Sequence, residues 1–216
     1  MNTENQSGST AEKKSVGNNG KLILSAMLLL PIIVILSSTL LYKAAEKGAI
    51  DLGTVNLGEL IDPPVNLADV DPVQTNGELF EFNKAESKWA FLVIGDDVCS
   101  GDCDKVLYLT RQTRTALGKK SPRVERVYLS TADGLSNSLA SHMAEEHPKM
   151  RTGTVNYAAI ENLLKDVDGD FDSGRRFYVV DPKGWVMMMY NLNSMDKDSI
   201  NALGKDVLKD MNRLLK

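Results

Sequence analysis

The chain has 216 residues, and its 25 Lys and Arg against 29 Asp and Glu give a net charge of −4. That balance argues against nucleic acid as a partner and leaves the fold open. No internal repeat is visible, and two cysteines and two histidines are all the thiol and imidazole the chain brings to a site.

Residues 1–20 are rich in Asn, Ser, Gly, Thr and charge with almost nothing apolar to bury, so they read as a disordered cytoplasmic tail. Residues 22–42 form an uncharged, mostly apolar stretch of 21 residues, enough to cross a hydrocarbon core of about 30 Å as a transmembrane helix. Pro31 inside it is tolerated and would at most kink it. A cleaved signal peptide is the alternative. The apolar region exceeds the usual ~7–15 residues and no convincing small-residue cleavage site follows, although Ala44 and Ala45 keep that option open. Lys13, Lys14 and Lys21 before the span outnumber Lys43 and Lys47 after it, which favours a cytoplasmic N-terminus and an exported C-terminal part. The leader lacks the Arg-rich, Ser-rich, acid-poor character of a transit peptide, so a single-pass protein of the bacterial inner membrane with a periplasmic domain is expected.

Residues 43–77 carry Gly48, Gly53, Gly58 and the run Asp62-Pro63-Pro64, and read as an extended tether with one short strand at most. Residues 78–216 suit one domain with one core. Within it Trp89–Gly95 is a buried-strand pattern, and a helix of about 15 residues runs on to Gly118, with Lys119 and Lys120 where cations suit the dipole. Val124–Ser130 is a second strand. A helix from near Asp133 carries Leu135, Leu139 and Met143 on one face and closes at His147-Pro148. Residues 156–165 form another, capped by Asn156. Strands at 177–180 and 185–190 flank the turn sequence Asp181-Pro182-Lys183-Gly184 as a hairpin, and Ile200, Leu203, Val207, Leu208, Met211 and Leu215 mark a last amphipathic helix. This order predicts an α/β fold with a mixed sheet and helices on both faces, the order of a thioredoxin-like domain.

Cys99 and Cys103 sit where the first strand gives way to its helix. Residues i and i+4 share a helix face about 6 Å apart, so the pair can be oxidised, reduced or bridged by a metal. Unpaired N–H groups at a helix start stabilise a thiolate, whereas Asp96, Asp97, Asp102 and Asp104 oppose a second anion and keep any fall in thiol pKa small. Asp102 and Asp104 also suit capping and the first turn. Two thiolates could hold Cu(I), a soft ion content with few ligands, while zinc would want four. The competing reading is a structural disulfide, although so small a loop contributes little by chain entropy.

Other candidates read as structure first. His142 and His147 fall at a Glu-rich helix end and suit solvated or capping roles before metal ligation. Met187, Met188 and Met189 invite a thioether site, but on a strand Met187 and Met189 face one way and Met188 the other, which favours packing. Asp166, Asp168, Asp170 and Asp172 begin like a calcium loop that Phe171 and Phe177 break at its sixth and twelfth positions. Arg111, Arg114, Lys119, Lys120, Arg123 and Arg126 form a basic stretch, read as a solvated face with docking on anionic lipid or an acidic partner as the alternative.

With Cys99 and Cys103 after the first core strand and FYVVDPKG at 177–184, residues 89–216 resemble the Sco/SenC branch of thioredoxin-like proteins, which help assemble the copper centre of cytochrome c oxidase. The segments CSGDCDKVLYLTRQTRTALGKKSPRVERVYL at 99–129 and DPKGWVMMMY at 181–190 are similar to single-span bacterial proteins associated with cytochrome c oxidase biogenesis genes. Two departures fall before the strand at Phe177. Sco-type proteins place a copper-binding histidine there and redox thioredoxins a cis-proline, while this chain has Asp172-Ser173-Gly174-Arg175-Arg176.

The resemblance implies a membrane-anchored, periplasm-facing assembly factor for respiratory cytochrome c oxidase. Cys99 and Cys103 would be its redox pair or transient Cu(I) ligands, copper its one implied cofactor, and oxidase subunits or other assembly factors its partners. A general thiol-disulfide oxidoreductase and a non-catalytic interaction module with a structural disulfide are the alternatives.

Overall fold

The computed structural model describes residues 19–46, 56–99, 101–167, 171 and 174–216, and the chain divides into two compact units, Met1–Thr54 and Val55–Lys216. In the first, helix α1 (Asn19–Glu46) continues through Pro31. Its stretch Gly20–Ala44 contains an 18-residue window of mean hydropathy 2.4 and is long and apolar enough to cross a membrane. The Ser25, Ser37 and Ser38 hydroxyls donate to carbonyls three residues back, so these polar groups are satisfied within the helix, as a lipid environment demands.

The second unit is built on seven strands: β1 (Glu59–Asn66), β2 (Val73–Gln74), β3 (Trp89–Gly95), β4 (Val124–Ser130), β5 (Met150–Thr154), β6 (Arg176–Val180) and β7 (Trp185–Asn191). They lie in the order β1-β7-β6-β3-β4-β5-β2. β3, β4 and β5 are parallel, and the remaining pairs are antiparallel. Helices α2 (Asp102–Ala116) and α3 (Asn137–Glu146) make the parallel crossovers, α4 (Tyr157–Leu164) follows β5, and α5 (Lys197–Leu214) closes the chain.

β3 shows why the fold is layered. Phe91 and Val93 enter one core with Val106 and Leu107 of α2, Leu139 and Met143 of α3, and Val207 and Met211 of α5. Leu92 and Ile94 enter the other with Leu67, Ile160 and Leu164. A strand buried on both faces needs this unbroken apolar run. The mixed sheet with helices on both faces is therefore the architecture expected from the sequence.

Three local differences have physical causes. Part of the segment expected to be an extended tether over 43–77 belongs to the sheet: β1 pairs with β7 at one edge and β2 with β5 at the other, while residues 47–55 lie outside the described residues. Pro63 and Pro64 fit because they sit in β1 where its register breaks, on an edge that tolerates missing N–H donors. β5 reads MRTGT with four of its five side chains only half-buried, so it lacks the apolar signature of β3 and β4. In β7 a bulge at Met187 shifts the alternation: Met187 and Met188 pack on the first core and Met189 on the second, contrary to the expected shared face of Met187 and Met189. The methionines are packing residues, as expected.

Asp210, fully buried on α5, ties the start of the domain to its end. Its Oδ2 accepts from the backbone N–H of Leu57 (2.7 Å) and Gly58 (3.0 Å) and from the Tyr190 hydroxyl (2.9 Å), and its Oδ1 meets Arg213 at 3.1 Å. Burial and the carboxylate push the Tyr190 hydroxyl pKa upward. Asp210→Ala strands these buried donors and is expected to cost about 3 kcal/mol, read as a lower urea midpoint; an unchanged midpoint would show that the contact is dispensable.

Candidate functional site

The site begins where β3 ends. The loop after Gly95 is held from several sides: the Asp96 carboxylate accepts from the Val98 N–H (2.8 Å), the Asp96 carbonyl accepts from the Tyr128 hydroxyl (2.7 Å), and the Asp97 carbonyl accepts from the Ser136 N–H (3.0 Å). Burial, with Asp96 and Asp97 close by, pushes the Tyr128 hydroxyl pKa upward, which keeps it a donor. Gly101 then turns the chain into α2 with φ of 60° and ψ of −105°, a conformation open in practice to glycine alone.

This places Cys103 in the first turn of α2 and Cys99 just ahead of it, joined as a disulfide with Cα atoms 5.3 Å apart. Cys103 is buried and Cys99 half-buried against the first core, while Val98 beside it is exposed. The two sequence-predicted site residues are brought together at the carboxyl end of a central strand, the end at which α/β sheets place ligands.

Because β6 runs antiparallel to β3, its start lies at the same end. Gly174 rests there on Cys103: a Cβ added to it would lie 3.2 Å from the Cys103 Cβ and 3.6 Å from its Cα and N, and its φ is +68°. Arg175 reaches over the helix start, its Nε 2.8 Å from Asp102 Oδ2. In the segment 172–176, where the resemblance implies a histidine and the chain has none, a side chain at Gly174 would crowd Cys103 and be strained by the positive φ. Asp172 and Ser173 lie outside the described residues.

The acidic residues around the pair are engaged. Asp102 meets Arg175, Asp104 meets His142 Nε2 at 2.8 Å, and Asp96 is taken by its own loop. Both Asp102 and Asp104 are first-turn residues, as expected, although Gly101 holds the cap position.

Asp104, His142 and His147 have ligand atoms within 4.8 Å of one another and are the metal-sized cluster among the described residues. Their chemistry does not fit a cation. Arg126, itself buried, donates from Nη1 to His147 Nδ1 at 3.1 Å and so occupies that ring's lone pair. Burial, Arg126 and Arg111 hold the His147 pKa down at about 4, so the ring is neutral with its proton on Nε2. A metal there would meet an N–H donor and a guanidinium. His147 is a capping residue, as expected, but buried rather than solvated, and what holds it is Arg126, 21 positions away in the chain.

Of the basic stretch, Lys119 and Arg123 are exposed as a solvated face requires, while most of its cations have structural partners. Arg111 donates to the Glu146 carbonyl at the end of α3, Lys120 and Arg123 to the Asn212 and Leu215 carbonyls at the end of α5, and Arg114 to the Val124 carbonyl. Cations at helix C-termini satisfy unpaired carbonyls and the dipole. Arg126 lies inside, its pKa lowered to about 10 by burial and by Arg114 and Arg111. Of the calcium-loop pattern, Asp168, Asp170 and Asp172 lie outside the described residues, and Phe171 packs into the second core.

Fold and site together define an α/β domain with a disulfide at a strand-to-helix junction, behind an apolar helix. Residues 89–216 match the family described as "Transmembrane-like, thioredoxin-like, C-terminal domain", and the chain belongs to it. Comparison with functionally curated proteins gives no match. Among solved structures the chain is similar to apo Sco1 from Thermus thermophilus, with 16% identity over 75% of this chain and 99% of that one and a TM-score of 0.51. It is also similar to a SCO1/SenC family lipoprotein from Bacillus anthracis str. Ames (20% identity, 71% and 98% coverage, TM-score 0.49) and to yeast Sco1 with copper bound (18%, 72% and 94%, 0.48). The likeness to the Thermus protein shows a shared fold, which the family match describes as thioredoxin-like, and the neighbours carry the names of the Sco/SenC branch that the sequence resembles.

Two outcomes test this site. Gly174→Ala combines positive φ with contact on Cys103 and is expected to lower stability by about 1–2 kcal/mol; an unchanged denaturation midpoint would contradict the packing. The depressed His147 pKa means that the unfolded chain binds the extra proton below 6.5 and the folded one only near 4. Stability is therefore lost as pH falls from 6.5 to 4. His147→Gln, which keeps an acceptor for Arg126, should flatten that dependence in urea titrations across the interval, and an equally steep variant would refute the assignment.

Proposed function

We propose that the chain is a membrane-anchored assembly factor for a respiratory cytochrome c oxidase, with its N-terminus in the cytoplasm, α1 in the bacterial inner membrane and the thioredoxin-like domain in the periplasm. Cys99 and Cys103 act as a dithiol/disulfide pair that in its reduced state holds Cu(I) as cargo. The observation that carries this reading is the pair itself: two sulfurs joined at the first turn of α2, one of them half-buried beside an exposed valine. The names of the similar structures support it, since they are Sco1 and SCO1/SenC proteins and the yeast one has copper bound.

The chain's own residues supply three things. The unpaired N–H groups at the start of α2 stabilise a thiolate at Cys103. The Arg175 guanidinium offsets the negative charge of Asp102 that would oppose it. The half-buried Cys99 is the sulfur a partner thiolate can attack, while Cys103 lies beneath Gly174. Opening the disulfide takes two electrons and two protons from a partner dithiol, and Cu(I) then displaces the two protons. Two thiolates suffice for this soft ion, so the lack of a histidine at 172–176 changes the strength and openness of the site rather than its possibility.

The burial of Cys103 under Gly174 favours one competing reading, an interaction module whose disulfide is structural. One experiment separates them. Cells carrying Cys99→Ser with Cys103→Ser are expected to lose oxidase activity under copper limitation, and the reduced protein, unlike the variant, is expected to take up one equivalent of Cu(I) in competition with a chromogenic chelator. Normal oxidase assembly in the variant cells would overturn the cysteine mechanism and leave the structural reading.

A further inference from the structure

α2 and α5 lie side by side on one face of the sheet and leave a groove of about 380 Å³ between them, lined by Leu109 and Thr113 of α2 and by Ile200, Gly204, Lys205 and Leu208 of α5. Its floor holds an anomaly. A helical threonine ordinarily returns its hydroxyl to a carbonyl three or four residues back, and in α2 Thr110 bonds to the Leu107 carbonyl and Thr115 to that of Arg111, both at 2.9 Å. Thr113 does not. It is 3% exposed, its Oγ1 has no hydrogen-bond partner, and that oxygen faces α5, 3.8 Å from where a Cβ on Gly204 would lie. A buried hydroxyl left unbonded is destabilising, and valine would fill the same space without that cost, so packing does not explain a threonine here.

Size and charge narrow what would use it. The volume is at the lower end of small-molecule sites and too small for a docked helix. Lys205 is the charged residue of the groove, and Lys209 stands one turn on along the adjoining surface with Asp206. Neither lysine forms an ion pair among the described residues. We propose that the α2–α5 groove binds a small amphipathic anion, its apolar body against Leu109, Ile200 and Leu208, an oxygen accepting from Thr113 Oγ1 and its acid group at Lys205. The site is separate in its residues from the cysteine pair and stands or falls independently of the copper reading.

Photo-crosslinking of the full chain in lipid nanodiscs with 4-benzoylbenzoate, read by peptide mass spectrometry, tests the proposal. Labelling is expected to map to α2 and α5, and Thr113→Val and Lys205→Glu are each expected to raise the half-saturating concentration roughly fivefold, the share of one hydrogen bond or ion pair. Labelling by uncharged 4-methylbenzophenone is expected to ignore Lys205→Glu. Labelling elsewhere, a half-saturation that either substitution leaves unmoved, or an equal response of the uncharged probe to Lys205→Glu overturns the proposal. Neither side chain makes a hydrogen bond among the described residues, so a melting curve matching the parent for Lys205→Glu and one matching or above it for Thr113→Val accompany the supporting result.

Discussion

Since β3 lies between a parallel β4 and an antiparallel β6, its carboxyl end meets the beginning of β6, and the backbone of Gly174 comes to rest on Cys103. That contact fixes what else the site can contain. A side chain at 174 would crowd it, Arg175 meets Asp102 alongside, and Cys99 is the more accessible sulfur. The histidine that the resemblance implies in this segment is absent from residues 172–176.

The polar interior serves the same scaffold. Asp210 gathers backbone donors at the start of the domain, Arg126 spans to His147, and Arg111, Lys120 and Arg123 close helix ends. The buried charges among them, Asp210 and Arg126, each meet a specific partner, as low-dielectric surroundings require. The histidines and arginines that could suggest a metal or an anionic surface are thereby consumed in holding α2, α3 and α5 against β4. The hydroxyl of Thr113 is the exception, and its isolation is what gives the α2–α5 groove its interest.

Much of this was legible in the sequence because the informative elements are buried on both faces. Trp89–Gly95 and Val124–Ser130 are continuous apolar runs, and α5 carries apolar residues at helical spacing. The edge strand β1 and the half-exposed β5 were not legible: β1 contains two prolines and β5 no apolar run, since edge and half-exposed strands are specified by their partners rather than by their own composition. The Met187 bulge reversed a facing that strict alternation predicts. At the site, the cysteine spacing announced the disulfide, whereas the pairing of Arg126 with His147 and of Gly174 with Cys103 joins residues 21 and 71 positions apart, and no local pattern encodes such contacts.

The reading depends most on a sulfur pair that is exported and exchangeable rather than sealed. Differential thiol trapping in intact cells measures this directly, with a membrane-impermeant maleimide applied before lysis and a second mass tag after reduction. A reduced fraction that the impermeant reagent captures, and that shrinks when copper is supplied, is the expected result. A pair that stays wholly oxidised under every condition, or that reacts only after the cytoplasm is opened, would contradict it.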